Sequence, residues 1–213
     1  MHEPFTAAVA FVSVALIPFF LVFWTVLRMS EVHPMTELID PHLNQLVSPR
    51  VRLFEPGKRE LRDLLCIEVV SFPSGLPDFE LWDAKDLDGY LEVGAQIAVY
   101  ESPKPDEGIT GYVMYFVAEN QGAEILRLAV APRFRRRGIA TALLNWVRQR
   151  AIESNAEKIT CDVFEDRLEM QLLLKSQGFV YQAKVNDDYP EVEGIDMYRF
   201  LLATDKMCDQ GSA

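Results

Sequence analysis

Three consecutive arginines, Arg135, Arg136 and Arg137, stand directly before Gly138, Ile139 and Ala140. After them Ile139, Ala142, Leu143, Trp146 and Val147 recur at three- and four-residue intervals, so the basic cluster opens an amphipathic helix. The first N–H groups of a helix have no intrahelical partner, and the aligned peptide dipoles place roughly half a positive charge at that end. An anion satisfies both. Small residues at Gly138 and Ala140 let a ligand approach the backbone closely, and the guanidinium groups add charge that a diphosphate neutralises. The spacing Arg-x-x-Gly-x-Ala lacks the closing Lys-Ser/Thr of a Walker loop and the third glycine of a dinucleotide fingerprint. Read blandly, the triplet is a solvated basic turn or a nucleic-acid contact, but the acidic balance of the rest of the chain favours the phosphate of a small ligand.

The elements that must position this turn can be read on either side of it. Leu128, Ala129 and Val130 suit a buried strand that Pro132 stops, so residues 127–146 run strand, basic turn, helix. Ahead of them, Arg50–Phe54 alternates as a first strand, Lys58–Val70 carries leucines on one helical face, and a second helix is expected over Asp78–Leu91. Ala95–Tyr100 and Thr110–Val117 read as strands joined through the turn-rich stretch 104–108. Asn120-Gln121-Gly122 turns into the next strand. Beyond the basic turn, Lys158–Val163 is a strand, Leu168–Ser176 a helix, and Phe179–Ala183 and Ile195–Leu202 the last two strands. The order is that of an α/β sheet of mixed direction with flanking helices.

The segment Leu128–Thr141 resembles the acetyl-CoA pyrophosphate loop of the GNAT N-acetyltransferase superfamily, whose signature is Gln/Arg-x-x-Gly-x-Gly/Ala. Gln177-Gly178-Phe179 is similar to the helix-end Gly-Phe of that family, and Asp188-Tyr189-Pro190 is followed by Gly194-Ile195-Asp196-Met197. Order and spacing resemble those of ribosomal-protein-alanine N-acetyltransferases over about residues 50–202. The resemblance implies a GNAT-type mixed, mostly antiparallel sheet whose fourth and fifth strands splay to admit acyl-pantetheine. It implies acetyl-CoA as acyl donor, with backbone groups of Leu128 and Val130 on the pantetheine. Ala129, Arg135, Arg136, Arg137, Gly138, Ile139, Ala140 and Thr141 complete the cofactor site.

The same resemblance implies a catalytic role for Asp162, at the position where alanine acetyltransferases carry a glutamate, and for Tyr189, near the entrance for a peptide substrate. An α-amino group has a pKa of about 8, so a carboxylate acting directly or through water removes a single proton at neutral pH. The plain alternatives are an ordinary strand carboxylate and a tyrosine at the core edge. Two residues depart from the pattern: Arg167 stands where the subfamily has an asparagine on CoA, and Leu174 where it has the tyrosine that protonates the leaving thiolate. The expected function is transfer of an acetyl group to a primary amine, foremost a protein N-terminal α-amino group. The other expectation is a membrane-tethered CoA-binding module with reduced or no catalysis.

Among 213 residues, the stretch 7–27 contains no charge, and as a helix at ~1.5 Å per residue it spans ~30 Å, a bilayer's hydrocarbon thickness. It reads as an apolar N-terminal helix that anchors the chain in a membrane (1–28), followed by a proline-containing linker (29–48), the acetyltransferase domain (49–202) and a polar tail (203–213). Arg28 follows the span and no lysine or arginine precedes it, which places the domain in the cytoplasm. A start at Met29 or Met35 would instead give a soluble cytoplasmic product. The formal net charge is −11, and Glu3, Arg28 and Glu31 are the charged residues before position 35, so the acidity lies in the domain. An acidic domain repels nucleic acid and attracts amines. Cys66, Cys161 and Cys208 are odd in number and show no Cys-x-x-Cys pairing, so neither a disulfide nor a metal is expected.

Overall fold

Period-two alternation, interrupted by glycine- and proline-rich turns, builds seven strands in the order β1 (Val51–Leu53), β2 (Gln96–Glu101), β3 (Ile109–Ala118), β4 (Gly122–Val130), β5 (Lys158–Phe164), β6 (Val180–Lys184) and β7 (Met197–Ala203). Among the described residues four helices accompany them: α1 (Lys58–Ser71) and α2 (Ala84–Glu92) between β1 and β2, α3 (Ile139–Glu153) between β4 and β5, and α4 (Leu168–Ser176) between β5 and β6. The computed structural model describes residues 47–72, 81–186 and 196–203, which belong to the compact unit Leu38–Ala213. The expected span 7–27, the linker before residue 47 and the tail from 204 lie outside the described residues. Among the described residues no helix is long and apolar enough to cross a membrane.

The sheet runs β1-β2-β3-β4-β5-β7-β6. All neighbours are antiparallel except β4 and β5, which run parallel because α3 carries the chain back between them. Both faces are covered, as a wide sheet with two apolar faces requires. On one face α3 and α4 pack Leu143, Val147 and Leu174 against Val113, Ile125, Ile159 and Phe200. On the other, Leu64 and Ile67 of α1 and Leu87 of α2 cover Ile97, Tyr112 and Met114. The mixed, mostly antiparallel α/β architecture read from the sequence is the one observed.

One boundary moves. The helix expected from Asp78 begins at Ala84, because Asp83 caps it: its Oδ1 accepts from the N–H groups of Lys85 (2.7 Å) and Asp86 (3.0 Å). Asp86 in turn accepts from the Asp83 N–H at 2.9 Å, a reciprocal capping box that closes off the helix on its N-terminal side.

Candidate functional site

The parallel pairing of β4 with β5 is short. Ala123, Glu124 and Ile125 pair with Ile159, Thr160 and Cys161, and there it ends. Past that point β4 continues from Leu126 to Val130 against β3 alone, while Asp162, Val163 and Phe164 pair with β7. The two strands therefore part, and the β5-facing edge of Leu126–Val130 presents backbone groups to the gap. A register shift sharpens the parting: Met114 faces Arg127 and Tyr115 faces Ile125, so Leu126 is an extra residue, a β-bulge at the mouth of the cleft.

Leu128, Ala129 and Val130 lie on that open edge and lead through a short 3-10 turn, Pro132–Phe134, into the arginine turn. Arg136 and Gly138 both adopt left-handed backbone, φ 61° and 78°, which bends the chain back before α3 starts at Ile139. Gly138 is the N-cap, and no side chain caps the helix there. A Cβ placed on it would meet nothing within 4 Å, so a ligand reaches the first N–H groups of Ile139, Ala140 and Thr141 unobstructed. The three arginines are exposed but not alike: Arg135 donates from Nε to the Val130 carbonyl at 3.1 Å, and Arg137 lies 5.4 Å from the Phe134 ring centroid. Gly111 on β3 makes the turn's position possible. A Cβ there would stand 3.0 Å from both the Ala129 oxygen and Ile139 Cγ2, so only glycine lets the start of α3 close down on the sheet. All ten residues expected to bind the cofactor thus fall on one continuous path from the open edge of β4 to the first turn of α3.

Asp162 lies on β5 just past the parting, on the sheet face covered by α1 and α2. Its side chain is buried, and Arg199 of β7, directly opposite in register, grips both oxygens: Nε to Oδ1 at 2.8 Å and Nη2 to Oδ2 at 2.6 Å. Such a fork orients the carboxylate firmly and draws its charge toward the guanidinium. Glu124, which the sequence reading passed over, is exposed on the same face of β4, beside Thr160 of β5. Its only signal in the sequence is a charge midway between two apolar strand residues, which alternation assigns to solvent.

Tyr189 lies outside the described residues. Leu174 is fully buried in the core under α4, so that position offers no proton. Tyr181 sits on β6, two strands from β5, with its ring packed edge-on to Tyr198 at 5.7 Å. Arg167 caps α4 without a side-chain bond to it and pairs with Asp166 at 3.3 Å. Gln171, unnoticed in the sequence, holds α4 to the end of β5 by donating to the carbonyls of Phe164 (3.2 Å) and Glu165 (2.9 Å). Burial pushes the Cys161 thiol far above its usual range, which removes it as a nucleophile. Among the described residues no group of three or more His, Cys, Asp or Glu side chains could hold a metal ion.

A mixed sheet parted between two parallel strands, with a capless helix start at the end of the open edge, can receive an extended ligand along β4 and an anion at the helix start. Residues 61–179, more than half of the chain, match the Acetyltransferase (GNAT) family, and the chain belongs to that family. It is similar in fold to the ribosomal-protein-S18-alanine N-acetyltransferase of Escherichia coli (17% identity, 72% of this chain and 94% of that one, TM-score 0.58). The ribosomal-protein-alanine N-acetyltransferase of Brucella melitensis is a further neighbour (19%, 72% and 98%, 0.55). So is a spermidine/spermine N-acetyltransferase of Vibrio cholerae (18%, 79% and 98%, 0.56). No curated protein matches the chain. The family uses acetyl-CoA as acyl donor, and the fold binds it together with an amine acceptor.

Proposed function

We propose that this acetyltransferase acetylates a protein N-terminal α-amino group, with Leu128–Val130 and Arg135–Thr141 holding acetyl-CoA. The observation that carries the reading is the edge of β4 beyond Ile125, which β5 leaves, running without a break into the open turn at Gly138. Pantetheine would add to that edge as an extended strand does, and the pyrophosphate would take the first N–H groups of α3. The acceptor nitrogen attacks the thioester carbonyl carbon, the C–S bond breaks, and the nitrogen's proton passes to a carboxylate. Asp162 is the base in this reading, held in place by Arg199, with Tyr189 at the acceptor entrance. Glu124 competes for the role because it is exposed on the same face. A thiolate with a pKa near ~8.5 leaves without an acid, so Leu174 slows the step without forbidding it.

A second reading, a CoA-binding module with reduced or no catalysis, draws support from Leu174 and Arg167. One assay separates them: CoA release by the full chain with an alanine-initiated peptide or spermidine as acceptor. Turnover is expected, with Asp162→Asn lowering kcat by about 10²-fold or more and Glu124→Gln by less than about threefold. Acetyl-CoA affinity should stay unchanged in both variants. The reverse order would transfer the role of base to Glu124; tight CoA binding with no turnover would establish the module.

We also propose that residues 7–27 anchor the chain in a membrane with the catalytic domain cytoplasmic, supported by the charge-free span and the Arg28 that follows it. The full chain should pellet with membranes and resist extraction by alkaline carbonate. Release by carbonate, or a native product starting at Met29 or Met35, would reject the anchor.

A further inference from the structure

Under α1 and α2 lies a pair of opposite charges for which acetyl transfer, as outlined, has no use. Glu68 of α1 is 1% exposed and Arg127 of β4 is 8% exposed. Arg127 donates to Glu68 from Nη2, Tyr112 donates to the other Glu68 oxygen, and the Trp82 N–H lies 3.4 Å from Glu68 Oε1. The Arg127 guanidinium is stacked between two rings, 4.4 Å from the centroid of Phe72 and 4.2 Å from that of Trp82, and Trp82 rests on Tyr90 at 4.7 Å. Stability gives no reason for the pair. Burying two charges costs several kcal/mol per ion, and apolar residues of similar volume commonly do as well or better.

Geometry gives the reason. Phe72 closes α1 and Trp82 stands just ahead of the cap of α2, so two helix ends meet on one guanidinium. That guanidinium springs from β4 beside the bulge, at the point where β4 leaves β5. The start of α3, where the donor's pyrophosphate would sit, packs on the other face of the sheet, with Ile139 and Phe134 in the core under α3 and α4. The carboxylates that an amine would meet, Glu124 and Asp162, are on the Arg127 face, and Glu124 and Arg127 both act electrostatically on Tyr90. The two substrates thus approach from different faces.

We propose that Arg127 is a positioning residue for the acceptor. Clamped by Glu68 and stacked between Phe72 and Trp82, it sets where the ends of α1 and α2 stand relative to the cleft, and so shapes the acceptor side. This rests on the acetyltransferase reading above.

The test pairs Glu68→Gln with Arg127→Met, which removes both charges together and leaves neither buried alone. With an alanine-initiated peptide or spermidine, whichever the wild type acetylates faster, the acceptor KM should rise at least about tenfold, while the acetyl-CoA Kd stays within about threefold. Arg127→Lys keeps the charge but loses the planar guanidinium that stacks on Phe72 and Trp82, and should not restore KM. An unchanged acceptor KM overturns the proposal. So does a common rise of KM and acetyl-CoA Kd, which a merely structural role would produce. Should the wild type turn over no acceptor, the acetyltransferase reading fails and the acceptor role of Arg127 is overturned with it, while amide exchange separately decides whether the clamp holds the helix ends. Faster exchange in peptides ending at Phe72 and beginning at Leu81, with α3 unaltered, upholds it; no change there overturns it.

Discussion

At the scale of single residues, the proposed cofactor turn depends on what Gly138 lacks. Its φ of 78° is one that an L side chain adopts at a cost of about 1–2 kcal/mol, and the ground above it is open. Gly138→Ala therefore adds a methyl where a phosphate would land and strains the backbone that presents the first N–H groups of α3. Isothermal calorimetry should show acetyl-CoA binding weakened by about tenfold, since ~1.4 kcal/mol is a factor of ten. A variant that binds as tightly as wild type would mean the ligand does not approach that backbone. The geometry of the turn was legible in the sequence because it is local: three arginines, a glycine and a helix start lie within six residues. The carboxylates were legible only in part. That Asp162 meets Arg199, 37 residues away, depends on the register of β5 against β7, which no local pattern encodes. Arg127 was least legible of all. An arginine in a strand reads as a solvent-facing position, and its partner Glu68 lies 59 residues upstream on a helix.

At the scale of elements, strand and helix order followed from periodicity because both faces of the sheet are apolar and each helix must bury one stripe. The beginning of α2 did not, and the reason is specific. Asp78 and Asp83 are both able to cap a helix, but Asp83 has Asp86 three residues on, where a reciprocal bond to its own N–H forms, whereas Asp78 has Leu81. The capping box selects Asp83, and its position leaves Trp82 just outside the helix, free to stack on Arg127. The parting of β4 from β5 was likewise an implication of family resemblance alone. It depends on where a parallel ladder stops, and three paired residues are too few to leave a mark in composition. What does mark it, once the structure is known, is the bulge at Leu126. The extra residue turns Arg127 onto the α1 and α2 face and lets its charge be buried there, so the opening of the cleft and the clamp beside it share one cause.

At the scale of the whole molecule, charge sets a contest that ionic strength can adjudicate. The chain carries a net −11, while the exposed Arg135, Arg136 and Arg137 gather positive charge at the helix start. Acetyl-CoA is a polyanion, drawn by the near charges and repelled by the distant ones. Screening treats the two differently, because the Debye length is about 30 Å at 0.01 M and about 10 Å at 0.1 M salt. With the three arginines set aside the rest of the domain carries about thirteen net negative charges; some 20 Å away, these weigh at the lower salt roughly two-thirds as much as three positive ones about 5 Å away, and at the higher salt roughly a quarter. At 1 M both vanish. Affinity for acetyl-CoA should therefore pass through a maximum near 0.1 M, whereas kcat/KM for a cationic amine acceptor should fall steadily from 0.01 M upward, since for it the distant charges attract. Titrations at the three salt concentrations with acetyl-CoA, and initial rates with spermidine at the same three, measure both arms. A steady loss of acetyl-CoA affinity from 0.01 M would mean that the arginine turn outweighs the acidic body at every range. A rate with spermidine indifferent to salt would mean that the acidity of the domain plays no part in gathering its acceptor.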